Sequence, residues 1–281
     1  MSMVATKFPY ILILRDDTDT DSPRQDDCFG KMVCWHRRYN LGDKHDYSDP
    51  DEFLRRLVRE KNIPDKELIE YIKSGQSDTV KLEYDRSARQ WDVRSYDSQF
   101  KKWFTDCSFD APLTGKEIEL ADALAESMQM DDLMAIAEKH NCILPLYLYD
   151  HSGITMNTTG FSCPWDSGQV GWVYASHKDI KKEYGSFSEE NAEKAMNLLR
   201  GEVTYYDHYI RGDCYGFQLY NGDEEVDSCW GFIGSPDDLR EDIEGYLPDE
   251  AKGIMNNLVF RYDDPDIDDI LQEYEDELEV G

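Results

Sequence analysis

The sequence predicts an α+β fold with mostly antiparallel sheet and peripheral helices. Helix-like and strand-like segments do not alternate strictly along the 281 residues, which disfavours a parallel α/β sheet. Segments 79–84 and 90–96 flank a short polar turn and predict a hairpin. Segments 214–220 and 225–232, joined by Asn-Gly, predict a second one.

The first elements follow from apolar runs and helix-start signals. The run at 8–14 predicts a buried strand, the acidic stretch at 16–27 a loop, and 31–39 a second strand. Ser48 and Asp51 form a capping-box-like helix start. The apolar stripe of that helix consists of Phe53, Leu54, Leu57 and Val58.

The remaining elements are expected from the same signals. Thr114 with Glu117 predicts a capping box, Asp131 predicts a further helix cap, and the Gly-, Ser- and Thr-rich stretch 150–168 predicts a long loop. The other expected helices are 65–73, 118–128, 131–140, 178–184, 188–210, 236–244, 248–258 and 266–278, and the other expected strands are 142–149 and 170–176.

Three regions are expected along the chain. Residues 1–110 form an N-terminal α+β region, 111–235 a central α+β region, and 236–281 an acidic C-terminal helical region.

The chain is strongly acidic, with 60 acidic and 30 basic residues and a formal net charge of −30. Such a field repels bare nucleic acid and anionic membranes, so neither is expected as a direct partner. No window reaches the roughly 18 apolar residues of a membrane span, and the first ten residues lack the pattern of a signal peptide. The composition therefore predicts a cytoplasmic protein.

The charge is concentrated near the C-terminus. Residues 221–281 carry 21 acidic and 3 basic side chains, and the segment 263–279 holds ten carboxylates and no base. A 17-residue helix is about 25 Å long, over which duplex DNA carries about 15 charges and one strand about 7. We therefore expect this segment to mimic DNA and bind a basic partner surface. Its carboxylates are Asp263, Asp264, Asp266, Asp268, Asp269, Glu273, Glu275, Asp276, Glu277 and Glu279.

Apolar residues recur between these carboxylates at helical spacing, so one face of the segment is expected to pack. They are Ile267, Ile270, Leu271, Tyr274 and Leu278. Further acidic clusters lie at 16–27 and 223–227. The first opens as D-x-D-x-D, but Ser22 and Cys28 occupy the positions where a calcium-binding EF-hand needs Gly and Glu.

Metal and cofactor sites are not predicted. The seven cysteines include no C-x-x-C pair, which is typical of reduced thiols in a cytoplasmic protein. Cys28, Cys34, His36 and His45 lie close in sequence, but their spacing matches no zinc pattern, so a structural role is favoured and a metal site is the alternative.

A loop with catalytic residue types is the basis of an enzymatic alternative. His151, Cys163 and Asp166 could form a nucleophile with its base. No G-x-S-x-G, Walker A or H-E-x-x-H motif occurs, so no catalytic residue is assigned. A third hypothesis is an acidic viral structural or scaffold protein whose charge serves solubility.

Two segments carry a resemblance to known sequences. Residues 34–45 read CWHRRYNLGDKH, and residues 149–172 contain YDHSGITM and FSCPWDSGQVGW. They resemble segments of uncharacterised acidic proteins of phages and plasmids, which implies a mobile-element origin and a location in the host cytoplasm. The composition is similar to that of small acidic proteins that block restriction enzymes or CRISPR complexes.

The sequence as a whole thus favours a non-enzymatic inhibitor. Its expected partner is a host nuclease or DNA-binding defence complex, and homo-oligomerisation is left open.

Overall fold

A computed structural model of the chain describes residues 2–59, 63–262 and 266–280, with side chains of the last helix described as far as residue 273. These residues form eight α-helices and twelve strands in antiparallel sheets, which confirms the α+β prediction. None of the described helices combines the length and apolarity needed to cross a bilayer.

The strands are β1 (Ser2–Lys7), β2 (Tyr10–Asp16), β3 (Lys31–Cys34), β4 (Val80–Asp85), β5 (Gln90–Asp97), β6 (Lys102–Asp110), β7 (Asn141–Asp150), β8 (Ile154–Asn157), β9 (Ser167–Ser176), β10 (Cys214–Asn221), β11 (Glu224–Ile233) and β12 (Val259–Arg261). The helices are α1 (Pro50–Arg59), α2 (Asp65–Lys73), α3 (Glu117–Ser127), α4 (Met130–Ala137), α5 (His177–Tyr184), α6 (Glu189–Arg211), α7 (Arg240–Tyr246) and α8 (Ile267–Val280).

The chain divides into two compact units that interleave along the sequence. Unit 1 consists of 1–28, 147–168 and 200–281, and unit 2 consists of 29–146 and 169–199. The units do not follow the contiguous order of the three expected regions, because unit 1 takes in segments from both ends of the chain.

Unit 1 is built on a five-stranded sheet in the order β11-β10-β2-β1-β12. Strand β10 pairs antiparallel with β2, and Phe217 lies opposite Leu14. On one face of the sheet, these two residues and Leu12 pack against α7 and the short 3-10 helix that follows it, through Ile243 and Ile254. The opposite face carries α8, so the sheet is covered on both sides.

Unit 2 packs α1 to α4 around a core that also receives β3, β9 and the three-stranded sheet β4-β5-β6. Phe53 of α1 lies at its centre and is fully buried. The Phe53 ring stacks on Trp172 at a centroid distance of 5.7 Å and contacts Trp35 and Tyr174 at 5.9 and 5.4 Å. Burying this many rings in one cluster supplies a large part of the hydrophobic stabilisation of the unit.

Strands β3 and β9 approach unusually closely at Gly171. Gly171 is paired with Cys34, and a Cβ atom at position 171 would lie 1.9 Å from the Val33 carbonyl oxygen. Only glycine fits here without a backbone shift.

Several sequence expectations for the elements were wrong. Strands β1, β6 and β12 were not predicted, and β8 lies within the stretch expected to be a loop. The helix expected at 236–244 begins only at Arg240, and 248–258 contains turns and a 3-10 helix, Ile254–Asn257. The strands were missed because pairing with other strands, rather than the local pattern, makes them extended.

Three predicted helix starts also differ. At α4 the N-cap residue is Gln129, and Asp131, which was expected to cap this helix, lies in its first turn. At α1 the backbone N–H of Glu52 donates to the Asp49 carboxylate at 2.8 Å, so Asp49 caps this helix. At α3 the N-cap residue is Lys116, whose side chain makes no capping bond, and Glu117 accepts from the Gly115 N–H at 2.9 Å.

Candidate functional site

Helix α8, which contains most of the expected binding carboxylates, is docked on the sheet of unit 1. Ile270 is buried against Val4, Ile11 and Ile13. Ile267 and Leu271 lie one turn or less away on the same face of the helix and pack against this cluster. The apolar spacing among the carboxylates therefore does predict a packed face, and the backbone of the helix is anchored by it.

The described carboxylates of this segment lie on the other side of the helix. Asp268, Asp269 and Glu273 are exposed, and Asp266 accepts a hydrogen bond from the Asp269 N–H at 3.0 Å at the helix start. Glu273 makes a bidentate pair with Arg261, at 2.6 and 2.7 Å.

The other predicted carboxylates are described only in part. Asp263 and Asp264 lie outside the described residues, and the side chains of Glu275, Asp276, Glu277 and Glu279 do as well, although their backbone belongs to α8.

The three acidic clusters, which are far apart in sequence, all belong to unit 1. In the stretch after β2, Asp19, Asp21, Asp26 and Asp27 are exposed. The tip of the β10–β11 hairpin adds the exposed Glu224, Glu225 and Asp227.

The charge of the protein is consequently divided unequally. Unit 1 holds 32 acidic and 8 basic residues, a net charge of −24, whereas unit 2 holds 28 acidic and 22 basic residues, a net charge of −6. Even if each base of unit 1 neutralised one acid, 24 carboxylates would remain uncompensated. Unit 1 is therefore a strong attractor for a cationic surface.

In unit 2, the arginines of α1 find acidic partners within the unit. Arg56 pairs with Asp46 at 3.1 Å and with Glu52 at 3.5 Å. Arg59 contacts Asp65 at 2.7 Å and Asp122 at 2.6 Å. The arginines of α1 thus form an internally balanced surface rather than an anion site.

The loop of the enzymatic alternative brings its three residues together, but in an order unsuited to thiol catalysis. His151 Nδ1 lies 3.4 Å and Cys163 Sγ 3.7 Å from the same Asp166 Oδ2. The described contacts include no hydrogen bond between the Cys163 thiol and the His151 ring. A nucleophilic thiol needs its base within reach of sulfur, whereas here a carboxylate lies between them and ties the loop together.

The residues of the metal alternative make structural contacts. His45 Nε2 lies 3.0 Å from the Cys34 carbonyl oxygen, and the His36 ring stacks on Tyr39 at 5.0 Å. Partial burial, with the nearby Arg38 charge, holds the pKa of His36 below its usual value. Across the side chains that the structure describes, no group of three or more His, Cys, Asp or Glu residues could hold a metal ion.

Exposed aromatic side chains in unit 1 were not singled out by the sequence. Trp165 is 92% exposed in the loop beside Asp166, and Trp230 on β11 is 49% exposed. Large exposed aromatics are frequent anchors of protein interfaces. No sequence signal places Trp230 opposite Gly216, because the register of this hairpin contains a bulge.

Comparisons with protein-family models, with curated protein sequences and with solved structures return no match to this chain. The charge, packing and exposure of its own residues therefore carry the functional inference.

Proposed function

We propose that this protein is a non-enzymatic inhibitor, encoded by a phage or another mobile element, of a host DNA-targeting defence complex. It binds the basic surface on which that complex holds DNA. The observation that carries the proposal is the excess of 24 uncompensated carboxylates in unit 1, beside a unit 2 of net charge −6. Charge that served solubility alone would be distributed over both units.

The anchoring of α8 supports mimicry rather than a loose acidic tail. Its 14 residues contain seven carboxylates over about 21 Å, and one DNA strand carries about six phosphates over that length. Because Ile270 fixes the helix on the sheet, the helix backbone need not be ordered on binding, so less conformational entropy is lost.

The composition of α8 also departs from what helix stability favours. Cations are preferred in the last turn because of the helix dipole, yet this turn contains no basic residue and includes Glu277 and Glu279. Local rules are most often broken at functional sites. The carboxylates at this end therefore support a binding role.

The partner class follows from the sign and density of the charge. A surface that holds DNA presents rows of Lys and Arg, and a dense acidic array can occupy it with fast, electrostatically steered association. The choice of a restriction, CRISPR or related nuclease complex rests on the acidic composition, which is similar to that of small proteins that block such complexes. The resemblance of segments 34–45 and 149–172 to phage and plasmid proteins supports only the mobile-element origin.

The enzymatic alternative has less support. It needs His151 to reach Cys163, and both side chains instead contact Asp166.

The test is capture of the target at low salt, followed by displacement with duplex DNA. The tagged chain is incubated with host extract, and bound proteins are eluted first with a DNA duplex and then with salt. A DNA-processing complex that leaves with DNA, and whose DNA cleavage the free chain blocks, is the expected result. A target that stays bound at saturating DNA would contradict mimicry.

Two variants with equal net charge separate the position of the carboxylates from their number. The first changes six acids of α8 to amides: Asp268, Asp269, Glu275, Asp276, Glu277 and Glu279. The second changes six exposed acids of unit 2 to amides: Glu70, Glu119, Glu126, Glu138, Glu183 and Glu193. Both variants have a net charge of −24, and we expect only the first to lose target binding, by tenfold or more.

A further inference from the structure

The Trp230 ring packs on the backbone of Gly216 in the hairpin β10–β11. The register places Tyr215 opposite Phe232 and Phe217 opposite Cys229, so Trp230 and Gly231 together face Gly216 across a β-bulge. Ring atoms of Trp230 would lie 2.0 to 2.7 Å from a Cβ at position 216. The indole therefore covers the bare backbone of Gly216, and any side chain there would displace it.

The side of the indole away from Gly216 is open. Trp230 remains 49% exposed although one side of its ring is covered by β10. Among the described residues, neither an aromatic ring nor a cation is placed over it. An aromatic ring held in place by the backbone beneath it, with its other face free, is preorganised for a planar or cationic ligand.

A carboxylate binds the backbone of the residue that follows Trp230. Asp17 Oδ2 accepts a hydrogen bond from the N–H of Gly231, the next residue after Trp230, at 3.0 Å. Its other oxygen accepts from the Asp19 N–H at 3.0 Å. Each carboxylate oxygen can accept a second hydrogen bond, so Asp17 can bind a donor that lies on the Trp230 ring.

We propose that Trp230 and Asp17 form the binding site for an arginine side chain of the partner protein. This inference rests on the proposed function and names the contact that anchors it. A guanidinium can stack on an indole face and donate two parallel hydrogen bonds to a carboxylate, which a lysine ammonium cannot do. The surrounding charge of −24 in unit 1 attracts a basic partner and repels a second copy of this chain.

The arginine nearest along the sheet does not serve as this ligand. Arg15 lies opposite Gly216 on β2, and its Nε donates to Gln218 Oε1 at 3.0 Å.

The test uses the full chain labelled with 5-fluorotryptophan. Each of the six tryptophans of the chain then gives a fluorine resonance. The Trp230→Phe variant identifies the Trp230 signal. The chain is titrated at 50 mM salt with nona-arginine and, as the matched probe, nona-lysine. We expect nona-arginine to shift the Trp230 signal more than nona-lysine does at equal occupancy.

Two substitutions then test the geometry. Trp230→Gln removes the ring, and Gly216→Ala displaces it while leaving tryptophan in place. Each is expected to weaken nona-arginine binding about two- to fivefold, the range of a cation–π contact at an exposed site, with little effect on nona-lysine. Because Gly216→Ala could disturb the hairpin, the circular dichroism of this variant is compared with that of the parent. If the two spectra differ, the test relies on Trp230→Gln alone.

The outcomes separate this proposal from the function it rests on. If nona-arginine binds but leaves the Trp230 signal unmoved and binds Trp230→Gln equally well, the arginine site is overturned and basic-surface binding stands. If nona-arginine does not bind the chain at all, both proposals fail.

Discussion

The Tyr71 hydroxyl of α2 donates a hydrogen bond to Asp132 Oδ1 of α4 at 3.2 Å within the core of unit 2. The second oxygen of this buried carboxylate accepts from the hydroxyls of Ser77, at 2.7 Å, and Thr79. Ser77 Oγ in turn accepts from the Val80 N–H at 2.8 Å. The Asp132 carboxylate thus joins α2 and α4 to the start of β4. Tyr71, Ser77 and Thr79 each direct a hydroxyl donor at it.

The pH dependence of stability should report this contact. Burial, together with the Asp132 charge, raises the pKa of Tyr71 to about 12, whereas an unfolded tyrosine titrates near pH 10. The contribution of the Tyr71 hydroxyl to folding stability is therefore complete below about pH 10, and it is lost as the pH rises to about 12. In urea unfolding between pH 8 and pH 12, the stability advantage of the parent over Tyr71→Phe should fall by up to about 2 kcal/mol. Parallel curves for the two proteins would contradict this assignment.

Removing the carboxylate should cost more than removing any one hydroxyl. Asp132→Ala leaves three hydroxyl donors without their acceptor in a buried site, so we expect a loss of about 3 kcal/mol in the free energy of unfolding. The exposed neighbour Asp131 is the control, and its change to alanine should alter stability by about 0.5 kcal/mol or less. Equal effects of the two substitutions would exclude a structural role for the network.

Undocking α8 should weaken target binding even though it adds negative charge. Ile270→Asp places a carboxylate in the apolar contact with Ile11 and Ile13, and protease cleavage within the helix should become faster. Gln272→Asp adds the same charge on the exposed side of the helix and should keep both protease resistance and target binding. If Ile270→Asp binds the captured target as well as Gln272→Asp does, target binding does not require α8 to be docked on the sheet.

The close approach of β3 and β9 should make position 171 intolerant of any side chain. Gly171→Ala forces a backbone shift at Val33 and should lower the unfolding midpoint in urea, at a cost of several kcal/mol. Gly168→Ala on the same strand meets nothing within 4 Å and should be nearly neutral. A tolerated Gly171→Ala would mean that the strands can separate at little cost.

The thiol of the 150–168 loop should be dispensable for inhibition. Cys163→Ala removes the contact with Asp166 Oδ2 but leaves the acidic surface of unit 1 intact. We expect DNA-displaceable target binding to change by less than about twofold, an effect typical of a surface substitution. Loss of inhibition with retained binding would instead revive the enzymatic alternative.

Elements with strong local signals were predictable from the sequence. Helix α2 was predicted with its observed ends, because a charged first turn and a periodic apolar stripe define it locally. The β10–β11 hairpin was predicted from its turn residues, where Gly222 adopts a φ of 65°. Strand β12 could not be predicted: it has three residues, and Val259 becomes extended only because it pairs with Val4 at the other end of the sequence.

The candidate site was predictable in composition but not in arrangement. The spacing of Ile267, Ile270 and Leu271 was sufficient to expect a packed face on the acidic helix. That the acids after β2 and at the β10–β11 tip belong to the same unit depends on the pairing of β10 with β2, about 200 residues apart. The arrangement of Trp230 over Gly216 depends on a bulge in the strand register, which sequence patterns do not encode.

The interleaving of the units has a consequence for synthesis on the ribosome. Every segment of unit 2 has been translated once residue 199 is added, whereas Ile11 and Ile13 can meet Ile270 only after Ile270 itself has been translated. One face of the β1–β2 hairpin therefore stays without its packing partner until α8 is made. Closing the long loop between β2 and α8 adds an entropic cost. A nascent or truncated chain that lacks α8 also lacks its seven carboxylates, so under the proposed function we expect it to compete with DNA less well.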